Sequence, residues 1–299
     1  MSTKRPPLTS PIHWILDWDG TITNKDTLDA LVNIAAATKP TFPTHDRWES
    51  VVEAYMADYT ATLEKLAPGG VFPTTIADEK RLLNDMKAVE QRSLDRVFCS
   101  QIFEGLTQET LDEGARKALE SGEVALRPGC VDFLHSVLSQ ANSETDSLHI
   151  LSVNWSRYFI SSCLRTAGID IDSRLVFANE FTGIAEGTSS IGEISLTAAS
   201  KLIASEDKLH ILKYLRERSS APVVYVGDSW TDIECLLAAD LGICIRDEPM
   251  GSSQRKLAEA FTRLGVSCPR LGDVTDASHP QIAWAQDFAA IHAWAGGYV

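Results

Sequence analysis

The sequence lacks the usual marks of a metal finger: its six cysteines (Cys99, Cys130, Cys163, Cys235, Cys244, Cys268) include no C-x-x-C pair and no close cysteine–histidine spacing. A zinc site therefore has no support, and each cysteine reads as a reduced structural residue in an apolar or helical pattern. No run approaches the roughly 18 apolar residues of a membrane span. The opening MSTKRPPLTS carries two basic residues with no apolar stretch behind them, so it does not read as a secretory signal. These absences lead to the expectation of a cytoplasmic protein, with the nucleus left open, and of no membrane partner. An excess of positive charge is missing too: 27 Lys and Arg face 41 Asp and Glu, a net charge of -14, which argues against a nucleic-acid or anionic-membrane partner. An anionic small substrate would need a local remedy such as a metal ion. Internal repeats and low-complexity tracts are likewise absent.

What is present is ordinary globular composition, 44% hydrophobic and 23% charged over 299 residues, enough for one large domain or two smaller ones. Texture divides the chain. "IHWILD" is a short apolar run ending in an acid, and a long stretch with apolar residues three or four apart follows it: "DTLDALVNIAAA", "HDRWESVVEAYMADYTATLEKL", "IADEKRLLNDMKAVEQRSLDRVFCSQIF" and "TQETLDEGARKALESG". That spacing predicts helices. Beyond Gly122 helices alternate with short buried strands, "LHILSV", "LVFAN", "PVVYVGD" and "LGICI", with a hairpin between Phe181 and Glu193. Alternation of this kind predicts an α/β fold, a parallel sheet covered on both faces. The first strand belongs with that sheet, so residues 26–122 are expected to be a helical insertion, and residues 1–25 with 123–299 a single core domain.

Ligands bind beyond the carboxyl ends of strands in such sheets. Asp17 and Asp19 follow the first strand; at i and i+2 of an extended segment their side chains would face one place and repel. Ser152 lies in "HILSVNWS", Asp228 follows "VVYVG", Asp232 comes one turn later, and Lys208 opens a helix. Carboxylates from several strands suit a hard cation such as Mg²⁺. A carboxylate can also accept a phosphoryl group, a transfer that needs alignment and charge neutralisation above all. Mg²⁺, Lys208, Ser152 and the backbone N–H groups after Asp19 can supply these, while Asp19 protonates the leaving oxygen and later activates water.

These residues resemble the haloacid-dehalogenase-like phosphatases. "DWDGTIT" matches their first motif, D-x-D-G-T-x-T, "ILSVN" the second, Lys208 the third, and "VGDSWTD" the fourth, G-D-S-x-x-D. The resemblance covers residues 12 to about 245 and implies a Rossmann-like, doubly wound core with an all-helical cap inserted between the first and second motifs. It implies Asp17 as nucleophile, Asp19 as general acid/base, and Ser152 and Lys208 as phosphate ligands. Thr21, Val153 and Asn154 join them as phosphate- or substrate-binding residues, and Gly20 and Asp232 as support. Mg²⁺ would be held by Asp17, the Asp19 carbonyl and Asp228. "LRPG", "NWSRYFI" and "FANEF" look most like the phosphoserine-phosphatase-like branch, including thiamin-monophosphate phosphatase-like proteins. Val153 and Asn154 stand where phosphoserine phosphatases commonly carry Gly-Gly. The expected function is Mg²⁺-dependent hydrolysis of a small phosphorylated metabolite. A phosphotransferase or mutase using the same aspartyl-phosphate, and a silent phosphate-binding module, stay open beside it.

Blander readings also stay open. Ser152 can cap a helix near Trp155, and Lys208 can be an exposed helix lysine. Asp26 and Asp29 suit the start of a helix, and Trp48 and Tyr55 a helical core stripe. His13 reads as a buried or edge residue, with the other histidines unclustered. The final "IAWAQDFAAIHAWAGGYV" packs either on its own core or on a partner; the oligomeric state is not written in the sequence.

Overall fold

A computed structural model describes residues 11–141, 147–195, 201–274 and 281–296. Its strands, in chain order, are β1 (His13–Leu16), β2 (Ser147–Leu151), β3 (Val176–Phe177), β4 (Glu180–Phe181), β5 (Ile194–Ser195), β6 (Val223–Gly227), β7 (Leu241–Ile245) and β8 (Ile282–Ala285). The first four α-helices are α1 (Leu28–Thr38), α2 (Thr44–Leu66), α3 (Ile76–Ser100) and α4 (Gln108–Ser121). They are followed by α5 (Cys130–Ala141), α6 (Arg157–Thr166), α7 (Ser205–Arg216), α8 (Ile233–Ala238), α9 (Ser252–Arg263) and α10 (Phe288–Ala295). Two compact units result. One holds Met1–Asn24, Leu126–Leu151 and Lys208–Val299; the other holds Lys25–Ala125 and Ser152–Asp207, so residues 152–207 group with the helical segment.

In the first unit the strands stand in the order β2-β1-β6-β7-β8, and every pairing is parallel. All of β1, β6 and β7 is buried, which explains why they read as unbroken apolar runs rather than alternating ones. Helices flank the sheet. Phe133 of α5 meets Trp14 of β1 edge-on at 4.9 Å and Phe288 of α10 at 5.3 Å. Residues 282–296 thus pack on their own core, with Ile282–Ala285 as a strand paired to β7, and the last three residues of that segment lie outside the described ones.

His13 is the polar exception in β1. Register places β1 beside β2 with Ile15 opposite His149, and His13 Nε2 lies 2.8 Å from His149 Nδ1. The histidines therefore do form a pair. Burial, and for His13 also the neighbouring ring, pushes each pKa down to about 4, so both are neutral when folded and begin to take protons near pH 6.5 when unfolded. A depressed folded-state pKa gives stability that is complete above pH 6.5 and is lost as the pH falls toward 4. Unfolding free energy should accordingly drop by about 3 kcal/mol from this pair between pH 7 and pH 5. His149→Asn should flatten that slope by about half or more; identical slopes in urea titrations of the two proteins would refute the assignment.

The second unit begins with the expected helices. Thr75 caps α3 by accepting from Asp78 N–H at 3.2 Å, and Thr107 caps α4 by accepting from Thr110 N–H, also at 3.2 Å. Asp58 of α2 takes Arg92 and Arg96 of α3 at 2.7 Å, and Tyr55 donates to Glu90 at 2.9 Å. Asp112 of α4 receives Tyr158 at 2.9 Å and Arg165 at 3.0 Å, both from α6, together with the Ser162 hydroxyl. Phe103 stacks on Phe181 at 4.9 Å and meets Trp155 edge-on, and Trp155 in turn meets Trp48. The expected hairpin is present as the antiparallel pair β4 and β5. "LVFAN" yields only a two-residue strand, and "TDIECLLAAD" a six-residue helix behind a tight turn, Trp230–Asp232. Among the described residues no helix is long and apolar enough to cross a membrane.

Candidate active site

Asp17 leaves the end of β1 with its N–H still bonded to the Val226 carbonyl at 2.9 Å. There the extended geometry ends. Trp18 to Ile22 form a single wide turn, closed by Thr23 N–H on the Trp18 carbonyl at 3.0 Å and by Gly20 N–H on the Thr23 hydroxyl at 3.2 Å. The strand rule of i and i+2 therefore does not set the direction of Asp19; Asp17 is buried whereas Asp19 is partly exposed. Gly20 has φ +73°, and a Cβ there would lie 2.5 Å from Asp228 Oδ2. Only glycine fits, because both the left-handed backbone and the close carboxylate exclude a side chain. Thr21, also buried, directs its hydroxyl at Asp17 Oδ2 (3.5 Å) and Asp228 Oδ1 (3.4 Å).

From β6 and the turn after it come Asp228 and Asp232, and from the first turn of α7 comes Lys208. Lys208 Nζ donates to Asp17 Oδ1 and to Asp232 Oδ1, each at 2.7 Å, with the lysine 1% exposed. The exposed-lysine reading is thereby excluded. Asp232 accepts further bonds from the Tyr225 hydroxyl (2.6 Å), the Asp228 and Ser229 N–H groups (3.2 and 3.0 Å) and the Ser229 hydroxyl (2.8 Å). Ser253 donates to Asp228 Oδ2 at 3.2 Å.

This hydrogen bonding sorts the charges. Burial opposes ionisation of Asp232, but Lys208, Tyr225 and Ser229 outweigh it and hold its carboxyl below the ordinary value. Asp17 has one ammonium and one long hydroxyl contact, and burial with the Asp232 charge raises it well above that value. Asp228 is pushed up to about 7 by burial and by Asp232. Lys208 is raised: burial acts against its charge, yet the Asp17 and Asp232 carboxylates prevail and keep it an ammonium. Three acids share one cation.

Carboxylate oxygens of Asp17, Asp228 and Asp232 all lie within 4.8 Å of one another. Such buried, hard oxygen donors with surplus negative charge fit a divalent cation of the Mg²⁺ type. Asp232 is engaged by five donors, so Asp17 and Asp228 are the carboxylates that would hold such a cation. A cation there would draw Asp17 and Asp228 to the charged form.

The remaining candidates belong to the second unit. Ser152 Oγ accepts from Asn154 N–H at 3.0 Å, and its own N–H bonds the Phe177 carbonyl at 2.9 Å. Asn154 Nδ2 donates to the Thr27 hydroxyl at 3.1 Å and its Oδ1 accepts from Ser156 N–H at 3.1 Å; Val153 lies between them, half-buried. The cap of α6 is Ser156, which accepts from Phe159 N–H at 3.1 Å, so Ser152 does not serve that purpose. Asp26 accepts from Leu28 N–H at 2.7 Å, as a helix-start acid should, and Asp29 accepts from Trp48 Nε1 at 3.3 Å. Tyr225, Ser253, Thr27 and Arg127 are polar partners that the sequence reading passed over. Tyr225 lies within the apolar run "PVVYVGD", Thr27 at the start of "DTLDALVNIAAA" and Arg127 in "LRPG", and none of the three stands out there as a site residue.

A parallel sheet with D-x-D-G-T-x-T at the exit of one strand and G-D-S-x-x-D at the exit of its neighbour is the fold of the haloacid-dehalogenase-like phosphatases. Solved structures agree. The chain is similar to a phospho-aspartyl intermediate analogue of phosphoserine phosphatase, with 16% identity and TM-score 0.50 over 94% of this chain and 97% of that one. It is similar also to a phosphoserine phosphohydrolase-like protein from Francisella tularensis, with 14% identity and TM-score 0.52 over 94% and 98%. No protein-family model matches. A CTO1 family protein of Schizosaccharomyces pombe is 30% identical over 239 residues, 78% of this chain and 81% of that protein. The chain belongs to the CTO1 family.

Proposed function

We propose that this protein is a Mg²⁺-dependent phosphatase that hydrolyses a small phosphomonoester through an aspartyl-phosphate on Asp17. The observation that carries the reading is the buried Asp17 carboxylate at the end of β1, bonded to Lys208 and grouped with Asp228. An Asp17 oxygen attacks phosphorus, the bond from phosphorus to the ester oxygen breaks, and Asp19 donates its proton to the departing alkoxide. Asp19 then takes a proton from water as that water attacks the same phosphorus, releasing phosphate and restoring the Asp17 carboxylate. Lys208 holds positive charge beside the acceptor throughout, and Asp232 keeps Lys208 aimed. A divalent cation held by Asp17, Asp228 and the Asp19 carbonyl would neutralise the phosphoryl oxygens. The family motifs add Thr21 and Ser152 as phosphate ligands, with Val153 and Asn154 beside Ser152, and residues 26–122 as the cap that selects the substrate. A net charge of -14 favours a compact ester over a polyanion.

The test is phosphate release from a panel containing phosphoserine, thiamin monophosphate, a nucleoside monophosphate, a sugar phosphate and an aryl phosphate, with Mg²⁺ and with chelator. Mg²⁺-dependent release without any added acceptor is the expected result. Transfer seen only when an alcohol acceptor is supplied, or binding of phosphate mimics with no turnover, would replace this reading.

A further inference from the structure

Arg127 does not belong to any of the four motifs, yet it is buried, 4% exposed, directly behind the turn that follows Asp17. Its segment is tied there by a bridge between Thr23 and Leu126 and by Arg127 N–H on the Ile22 carbonyl at 2.8 Å. The guanidinium then reaches three structures at once. Nη2 donates to the Gly20 carbonyl at 2.8 Å and Nε to the Thr21 carbonyl at 3.1 Å. Nη1 donates to Asp247 Oδ1 at 2.5 Å and to the Gln286 carbonyl at 3.4 Å. Asp247, just past β7, is itself fixed by Gln254, which donates to Oδ2 at 2.7 Å and accepts the Asp247 N–H at 2.9 Å.

Two features give this arrangement meaning for the site. A peptide group is planar with C=O and N–H opposed, so pinning the Gly20 and Thr21 carbonyls on one side turns the Thr21 and Ile22 N–H groups to the other. Gly20 also touches the Asp228 carboxylate so closely that a Cβ would overlap it, and the Thr21 hydroxyl points at Asp17 and Asp228. The turn is thus held between a guanidinium behind and the reacting carboxylates in front. Gripping two consecutive carbonyls and a carboxylate needs the rigid, many-donor fork of arginine; a lysine ammonium offers a single point. The positive charge also acts on Asp228, in the direction that favours its ionised form.

We propose that Arg127 is a positioning residue that clamps the Gly20–Thr21 turn and so sets the placement of Asp17, Thr21 and Asp228 for phosphoryl transfer. This rests on the reading of Asp17 as the phosphoryl acceptor. Arg127 itself touches no reacting atom. Misplacement of catalytic groups by about 1 Å costs on the order of 100-fold, so Arg127→Lys should lower kcat by about 30- to 100-fold. KM should stay within about threefold, since the clamp acts on geometry and not on substrate contacts. In metal-free protein, amide hydrogen exchange should accelerate at residues 18–23 while β6 and β7 keep their protection.

Asp247→Asn serves as the second variant where Arg127→Lys does not fold. It leaves the arginine in place, weakens its anchor, and should show the same pattern at smaller amplitude. A folded Arg127→Lys with kcat within threefold of wild type, or with unaltered exchange at residues 18–23, overturns the clamp and leaves the proposed phosphatase standing. A wild type that releases phosphate from no ester overturns the phosphatase instead, and the exchange experiment still decides whether the clamp exists.

Discussion

Asp17→Asn is expected to lower turnover by about 10⁴- to 10⁶-fold, the scale on which loss of a covalent acceptor is felt. The asparagine oxygen is neutral and cannot form the acyl phosphate, while its shape and its ability to accept from Lys208 are retained. Burial and the Asp232 charge already press Asp17 toward its protonated form, which means the folded protein gains by losing that charge when no cation is present. The variant should therefore unfold in chelator at a temperature equal to or above wild type. Its stabilisation by added Mg²⁺ should be smaller, because one of the two carboxylates that would hold the cation is gone. Steady-state phosphate release with the preferred ester, read alongside thermal unfolding with Mg²⁺ and with chelator, checks all three statements. Activity within about 100-fold of wild type, in protein freed of wild-type contamination, would remove Asp17 from the role of acceptor.

Much of the site lay open in the sequence because its carboxylates end short apolar runs. Asp17 and Asp228 sit at the exits of β1 and β6, two strands buried along their whole length, and a buried parallel strand has no other way to be written. The helical segment was equally legible from its spacing. Other features were not, for identifiable reasons. "IAWA" is too short to tell from the start of a helix when "FAAIHAWA" follows it, and only pairing with β7 makes it a strand. The His13–His149 pair depends on the register between strands 136 residues apart. Ser152 and Ser156 both precede α6, and which one caps it is decided by a turn at Ser152–Asn154 that composition does not reveal. Arg127 grips main-chain carbonyls, and a main-chain acceptor leaves no trace in residue identity.

Lys208→Met should cost the metal-free protein about 3–5 kcal/mol of unfolding free energy, the usual consequence of removing one partner from a buried ion pair. Methionine nearly matches the lysine stem in volume, so the loss reports charge and not a cavity. In wild type the ammonium is bonded to Asp17 and Asp232 at 2.7 Å, and its raised pKa shows that the two carboxylates more than repay its burial. Without it, Asp17 and Asp232 lose the ammonium bonded to both of them. They can relieve the strain by taking protons, so the deficit should be small near pH 4, where the unfolded chain's carboxyls are half protonated as well, and should grow as the pH rises to 8. Two rescues separate this account from simple misfolding. Mg²⁺ should restore part of the lost stability by supplying positive charge to Asp17 and Asp228, and a second change, Asp232→Asn, should recover much of the remainder by deleting the carboxylate that Lys208 no longer balances. Urea unfolding of wild type, both single variants and the double variant, with chelator and with Mg²⁺, gives the coupling directly. Additive losses in that cycle would mean that Lys208 and Asp232 do not act as a pair.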